Sequence, residues 1–206
     1  MKTRKVLLTI LIILACVAAF QWGWFFYRSS KDDPFKISSK RVKGTPDAAV
    51  KIIEYTDYRC SFCSGASNWL NKIMRKNPGS IYLEVRYFPL HLNDGALTAR
   101  FAECALRQNK FWAIHDDLMT QQSKWIRLPN SESFFLDLAV KHRLDVGQLK
   151  TCWSDPELYD SIMDLKDQGK DLGVTATPTF FVNGKMAVGV NDLKTELNRL
   201  LGTELE

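Results

Sequence analysis

The architecture of this chain follows from residues 50–63, VKIIEYTDYRCSFC. The run Val50–Tyr55 is rich in β-branched and aromatic residues, a composition that predicts a strand. Asp57 is a candidate helix cap, and a helical pattern runs from about Cys60 to Lys76 before Asn77-Pro78-Gly79 stops it. The stretch therefore predicts a strand, a tight turn and a helix, with two cysteines at the start of the helix.

A second strand follows this helix. Residues 81–88 alternate between apolar and polar side chains until Pro89 ends the pattern. A strand, helix and strand of this length form a right-handed crossover, so we expect the two strands to pair in parallel.

The chain then becomes helical between about Gly95 and Leu172. Asp145 with Gln148 fits a capping box, and Pro156 suits the first turn of a helix. The predicted helices are residues 96–108, 111–119, 131–142, 146–153 and 156–170.

The C-terminal part returns to strands. Residues 179–182 and 185–188 flank Asn183-Gly184, a strong signal for a two-residue hairpin, and a helix is predicted over residues 192–201. The fold class is therefore α/β: a βαβ half, a helical insertion at about 95–172, and a β-hairpin/helix half.

Cys60 and Cys63 carry the chemistry of this arrangement. A thiol at a helix start lies beside unpaired N–H groups and the positive end of the helix dipole, which lower its pKa from about 8.5 into the range of about 3.5 to 7. Cys60 is then the nucleophile and Cys63 the resolving thiol. The alternatives are two inert thiols or half of a zinc site, but the three histidines are scattered through the sequence, at His91, His115 and His142.

Composition narrows the class of protein. The chain has 206 residues, of which 46% are hydrophobic and 25% charged, as in one folded globular domain. The net charge is +5, and Lys2, Arg4 and Lys5 supply three of these charges before an apolar run. The remaining charge is small, so nucleic acid is not an expected partner.

The apolar run near the N-terminus predicts a transmembrane helix. Val6–Tyr27 contains no formal charge, and 22 helical residues span about 33 Å. The basic residues before it place the N-terminus in the cytoplasm. We therefore predict a single-pass protein of the inner (cytoplasmic) membrane whose following domain lies in the periplasm or another extracytoplasmic space.

Two alternatives for residues 1–28 remain open. One is a signal peptide cleaved before Phe20, and the other is lipidation at Cys16. All three interpretations predict export to an oxidising compartment, where disulfides persist. Residues 29–44, rich in Ser, Lys and Asp, are predicted to be a linker, and residues 45–206 the folded domain.

Four segments together resemble the DsbA-type thioredoxin-fold thiol-disulfide oxidoreductases. These segments are EYTDYRCSFC (54–63), FPLH (88–91), FAECALRQNKFWAIHDDLM (101–119) and GVTATPTFFVNGK (173–185). The resemblance covers roughly residues 45–201. It implies a thioredoxin fold with a helical insertion and thiol-disulfide exchange without a cofactor or metal.

The resemblance also implies roles for individual residues. Pro178 matches the cis-proline that faces the cysteines, and Thr177 the residue whose backbone pairs with substrate; the alternative is a trans proline opening an edge strand. Glu54 matches an acidic residue near the buried thiol, the alternative being a strand glutamate that faces solvent. In the best-known DsbA motif, Cys-Pro-His-Cys, the two cysteines flank Pro-His, whereas in this chain they flank Ser61-Phe62. This difference leaves open how strongly oxidising the Cys60–Cys63 pair is.

Cys104 and Cys152 remain in two predicted helices of the insertion. In an exported chain, two such cysteines suggest a structural disulfide, which would stabilise the fold by about 4 kcal/mol through loop closure. Some DsbA-type relatives have a bridge there. The alternative is a pair of buried free thiols.

The predicted function is disulfide formation in exported proteins by a membrane-tethered oxidoreductase. By resemblance, its redox partner is a quinone-linked membrane oxidase or a thiol reductant. A disulfide reductase or isomerase with the same site is the first alternative. No dimerisation module precedes the domain, which favours an oxidase and a monomer. The second alternative is a non-catalytic metal-binding or chaperone module, although no His or Met lies within ten positions of Cys60 to help bind copper.

Overall fold

A computed structural model describes residues 13, 15–21, 41–91 and 94–202. The chain divides into two compact units, Met1–Lys36 and Ile37–Glu206. In the first unit, residues 13 and 15–21 are helical, while most of the predicted transmembrane helix Val6–Tyr27 lies outside the described residues. Among the residues that are described, no helix has the length and apolar character needed to span a bilayer. Most of the predicted linker also falls outside them.

The second unit is built on one five-stranded sheet with the order β1-β3-β2-β4-β5. Its strands are β1 (Val42–Gly44), β2 (Val50–Thr56), β3 (Ile81–Tyr87), β4 (Thr179–Val182) and β5 (Lys185–Val188).

The predicted βαβ half is confirmed. β2 and β3 pair in parallel, from Val50 opposite Ile81 to Thr56 opposite Tyr87. Between them lies α1 (Ser61–Lys76). At the end of the predicted linker, β1 pairs antiparallel with the outer edge of β3. Three residues are too few to show a strand period, and the open edge of β3 supplies the pairing that their sequence does not signal.

The predicted hairpin is also confirmed. Asn183 and Gly184 have φ values of 49° and 83°, the left-handed conformations of a type I′ turn. The last helix, α8 (Gly189–Leu201), begins three residues before the predicted start. Asp192 in the first turn accepts a hydrogen bond at 3.1 Å from the N–H of Val188, the N-cap residue.

The part of the chain between β3 and β4 that the structure describes contains six helices, which form the helical insertion that the resemblance implies. The four-residue helix α4 is the one that the sequence pattern does not predict. The helices of the insertion are α2 (Asp94–Arg107), α3 (Phe111–Thr120), α4 (Gln122–Trp125), α5 (Glu132–Lys141), α6 (Val146–Trp153) and α7 (Pro156–Asp171). A disulfide between Cys104 and Cys152 joins α2 to α6.

Alternation along the central strand divides the core between the two faces of the sheet. Ile52 packs in one cluster with side chains of α1 and α8, such as Leu70 and Leu197. Tyr55 lies on the opposite face, where α7 crosses the strand at Gly169. A Cβ at this glycine would lie 2.8 Å from the Tyr55 ring, so the close helix-to-sheet contact requires its absence. The sheet thus carries the active-site helix on one face and α7 on the other.

Candidate active site

Cys60 is the N-cap residue of α1, directly after the turn that follows β2. Its φ and ψ are −81° and 118°, and its side chain makes no capping hydrogen bond. The sulfur is half-buried and lies 3.3 Å from the carbonyl oxygen of Thr177. The nucleophile predicted from the sequence is therefore at the helix terminus and remains accessible.

Asp57 does not cap this helix, so that sequence prediction is wrong. Its buried carboxylate instead accepts hydrogen bonds from the backbone N–H groups of Arg59, Leu90 and His91, at 2.9, 2.9 and 3.2 Å. The His91 ring also lies 3.0 Å from the carboxylate. Asp57 therefore joins the active-site turn to the loop that follows β3.

The Cys60 thiol is polarised towards its ionised form. A hydrogen bond from the Cys63 thiol is the main reason that the pKa of Cys60 falls to about 6. Burial opposes this shift, while Thr177 and the backbone N–H groups of Phe62 and Cys63 add to it. Cys60 is therefore largely a thiolate at neutral pH.

Cys63 has the opposite character. It is fully buried one turn into α1, and burial raises the pKa of its thiol well above the usual range. The neighbouring Cys60 raises the pKa further, because the Cys63 thiol donates a hydrogen bond to it and because a second negative charge beside the first is unfavourable. The pair thus combines one ionised sulfur with one protonated sulfur that is shielded from solvent.

The Thr177-Pro178 peptide bond is cis, and the Thr177 carbonyl oxygen lies 3.3 Å from Sγ of Cys60. A cavity of about 390 Å³ opens beside this peptide bond, lined by Phe62, Thr177, Pro178 and residues 188–191. The Phe62 side chain is 75% exposed at its rim. An open and mostly apolar surface therefore adjoins the reactive sulfur.

Glu54 is buried on β2, which excludes the solvent-facing alternative. Burial raises the pKa of its carboxyl to about 8, and the charge of Cys60 contributes in the same direction. The Thr56 hydroxyl lowers the pKa of both Glu54 and Cys63. Among the residues that the structure describes, Oε1 of Glu54 and Oγ1 of Thr56 have no hydrogen-bond partner. The site therefore includes a carboxyl that is protonated at neutral pH.

The sequence analysis missed the side chains that support the active-site segment from the insertion. Gln122 on α4 donates to the carbonyl oxygens of Tyr58 and Cys60, at 2.7 and 2.9 Å. His115 on α3 lies 2.9 Å from the Tyr58 hydroxyl and 3.2 Å from that of Ser67. Burial lowers the pKa of His115 to about 4, so the ring is neutral. A lone polar residue in a helix gives no sequence signal of such a contact.

The histidines do not form a metal site with the cysteines. His91 contacts Asp57, His142 contacts Asp117, and His115 contacts Ser67 of α1. Within residues 41–91 and 94–202 and the short described N-terminal stretch, no three His, Cys, Asp or Glu side chains are grouped to hold a metal ion.

A dithiol with one ionised and one protonated sulfur is suited to thiol-disulfide exchange. Together with the sheet topology, it defines a thioredoxin-fold protein with a redox-type Cys-x-x-Cys site. A family model described as thioredoxin matches residues 37–200, and the chain belongs to this family. The sequence resemblance to its DsbA-type members is confirmed.

Individual relatives agree with this assignment. The chain is 26% identical over 208 residues to the probable disulfide bond formation protein D of Bacillus anthracis, covering 91% of this chain and 92% of the relative. A thioredoxin-like oxidoreductase from Silicibacter pomeroyi has a similar structure, with a TM-score of 0.69, 25% identity and coverage of 84% and 99% of the two chains. The α-DsbA1 of Wolbachia pipientis shares the fold, with a TM-score of 0.69, 23% identity and coverage of 82% and 94%.

Other relatives are much longer than this chain. The Na⁺/H⁺ antiporter NhaA 1 of Mycolicibacterium gilvum is 27% identical over 210 residues, which are 92% of this chain. The match covers 32% of the antiporter, so the chain spans about a third of that relative's length.

Proposed function

We propose that this chain is a thiol-disulfide oxidoreductase that introduces disulfides into exported proteins. The observation that carries the proposal is the contrast between Cys60 and Cys63. The pKa of one thiol is lowered to about 6, and the pKa of the other is raised well above its usual range. A sulfur that is stable as a thiolate is a good leaving group, and a stable reduced form makes a disulfide more oxidising.

The reaction begins with the Cys60–Cys63 disulfide. A substrate thiolate attacks Sγ of Cys60, a new intermolecular disulfide forms, and Cys63 leaves with the electron pair of the broken bond. A second substrate thiolate then attacks the substrate sulfur, and Cys60 leaves as a thiolate. The substrate has lost two electrons to the protein and contains a disulfide, while the protein holds the reduced pair.

Glu54 supplies the proton that this sequence needs. Cys63 is too deeply buried to remain a thiolate after it leaves, and the Glu54 carboxyl, whose pKa is raised by burial and by the charge of Cys60, is protonated below a pKa of about 8. Proton transfer between them neutralises Cys63. Because the pKa of Glu54 is about 8 while both thiols are reduced, the carboxylate then takes up a proton from solvent, and on re-oxidation the Cys63 proton leaves to solvent.

The open surface beside Pro178 receives the substrate. A chain segment around a substrate cysteine binds with its backbone along Thr177 and an apolar side chain against Phe62 and Val188, which is 49% exposed. The sulfur of the substrate then lies over Cys60. Because the cavity is open and apolar, it suits unfolded segments better than one specific folded partner.

We further propose that the domain is exported and tethered to the membrane. The uncharged run Val6–Tyr27 and the basic residues before it support this location. Electrons that the dithiol receives then pass to a redox partner in the same membrane, for which a quinone-linked oxidase is the proposed class.

Trapping of substrates tests the exchange reaction. In Cys63→Ser, the mixed disulfide on Cys60 cannot be resolved by the protein, so we expect reducible adducts with exported proteins on a non-reducing gel. Cys60→Ser is the matched control and should form none. Equal labelling in both variants, or none in either, would contradict exchange through Cys60.

The direction of the reaction is tested by equilibrium with glutathione. A reduction potential near about −120 mV supports disulfide formation, and one near about −270 mV indicates a reductant. The second result would replace the oxidase by the reductase alternative without changing the site.

A further inference from the structure

Gln122 is a buried amide that reaches from the helical insertion to the backbone of the active-site segment. It is the first residue of α4, and only 6% of its surface is exposed. Its Nε2 lies 2.7 Å from the Tyr58 carbonyl oxygen and 2.9 Å from that of Cys60. The amide has two N–H donors, so one side chain can satisfy both carbonyls.

Cys60 occupies a position that usually needs a capping side chain. Ser, Thr, Asp and Asn are preferred at an N-cap because their oxygens bind the free N–H groups of the first turn. Cys60 makes no such side-chain bond, which keeps its sulfur available. Within the segment, its N–H donates to the Asp57 carbonyl at 3.0 Å, and its carbonyl accepts from Cys63 and Ser64. Gln122 adds a contact to this turn from outside the segment.

The orientation of the Cys60 carbonyl has a direct consequence for the sulfur. The ψ angle of 118° at Cys60 sets the direction in which the next N–H groups point. The N–H groups of Phe62 and Cys63 are among those that stabilise the thiolate. Rotation of the Cys60 peptide would turn the helix start away from the sulfur.

We propose that Gln122 is a positioning residue, which holds the Tyr58 and Cys60 carbonyls and so keeps the Cys60 sulfur aligned with the N–H groups at the start of α1. The inference rests on the proposed exchange reaction at Cys60. It assigns to the helical insertion a part in setting the reactivity of a cysteine that belongs to the thioredoxin half.

Other insertion contacts hold α1 itself and remain when Gln122 is changed. The Ser64 hydroxyl donates to the Met119 carbonyl at 2.6 Å, and His115 contacts Ser67. Both lie beyond the first residues of the helix. Loss of the Gln122 amide therefore frees the Tyr58 and Cys60 carbonyls, while the Tyr58 hydroxyl keeps its contact with His115 and the helix stays docked.

The test compares Gln122→Met with Gln121→Met in the full chain. Methionine keeps the length and volume of glutamine but has no N–H donor. Gln121 is the preceding residue, and its side chain accepts from Lys124 at 3.4 Å, so it is the matched control. The pKa of Cys60 is followed by thiolate absorbance at about 240 nm, and the reduction potential by equilibrium with glutathione.

In Gln122→Met we expect the pKa of Cys60 to rise by about one unit, towards 7, because the aligned donors are lost. At pH 7 this change alters the equilibrium constant with glutathione by about fivefold, equivalent to a potential about 20 mV more reducing. Gln121→Met should match the parent in both measurements.

A folded Gln122→Met whose Cys60 pKa stays within about 0.2 units of the parent overturns the proposal. That result, even with a lower melting temperature, would assign Gln122 a structural role only. Should this variant not fold, Gln122→Leu carries the same test: leucine also lacks an N–H donor and adds no charge, so the pKa of Cys60 must rise if the amide positions the carbonyls, and an unchanged pKa overturns the proposal. An ordinary Cys60 pKa in the parent itself would instead count against the proposed function.

Discussion

Replacing Glu54 by glutamine should change how the stability of the protein depends on pH. The carboxyl is fully buried and its pKa is about 8, against 4.5 in an unfolded chain. The folded state therefore binds this proton more tightly. Its contribution to stability is complete below pH 4.5 and is lost as the pH rises to about 8.

The size of the effect follows from the pKa difference. At 1.36 kcal/mol for each unit, the whole loss is about 5 kcal/mol, of which about 3 to 4 kcal/mol falls between pH 5 and pH 8. Glu54→Gln keeps the size of the side chain and removes the titrating group. Over this range the stability of the parent should thus fall by about 3 to 4 kcal/mol more than that of the variant.

Urea denaturation of the disulfide form at a series of pH values measures this difference. The disulfide form is used because Cys60 and Cys63 do not titrate in it. Burial, the largest cause of the raised pKa of Glu54, is retained in this form, while the smaller contribution of the Cys60 charge is lost, so about 3 to 4 kcal/mol is the upper value expected. Glu132→Gln, which changes an exposed glutamate at the start of α5, controls for the substitution itself. Parallel stability curves for the parent and Glu54→Gln would refute the raised pKa and, with it, the proton transfer assigned to Glu54.

Two further predictions concern the fold. The double variant Cys104→Ala, Cys152→Ala should unfold at lower urea, with a loss of about 4 kcal/mol expected for a bridge that closes a 48-residue separation; a loss below about 1 kcal/mol would argue against the bridge. Gly169→Ala should destabilise by about 1 to 3 kcal/mol, because its Cβ would lie 2.8 Å from the Tyr55 ring. Gly65→Ala, whose Cβ meets nothing within 4 Å, should stabilise α1 by about 0.5 to 1 kcal/mol, and equal effects at the two glycines would contradict the close packing of α7.

Local patterns in the sequence are sufficient to predict most of the elements. The strand and helix around Cys60 are signalled by composition and by a helix stop, and the hairpin by Asn183-Gly184. The bounds of α6 agree with the prediction at both ends. In each case the residues that determine the element lie within the element or next to it.

Features that depend on distant parts of the chain could not be predicted in this way. β1 exists because β3 has a free edge, and its three residues carry no period of their own. Asp57 has the right position for a cap, but the backbone after β3 binds its carboxylate instead. Gln122 lies 62 residues from Cys60, and only the packing of the insertion brings its amide to that carbonyl.

The candidate site shows the same division. Cys60, Cys63 and Pro178 follow from motifs, whereas the burial of Glu54 depends on which face of β2 is covered. Val50, Ile52 and Glu54 lie on the face of β2 that packs under α1 and α8. Strand alternation predicts that they share a face, but it does not predict that Glu54, near the C-terminal end of the strand, is buried. The resemblance to DsbA-type proteins indicates an acidic residue at this position, and the fold explains why its carboxyl is protonated.

The most direct test of this account is the ionisation of Cys60 in the reduced protein. Thiolate absorbance recorded from about pH 3 to pH 10, with Cys60→Ser as the blank, isolates this one sulfur. We expect a midpoint near pH 6. A midpoint between about 8.5 and 9, the ordinary range for a cysteine thiol, would contradict the account.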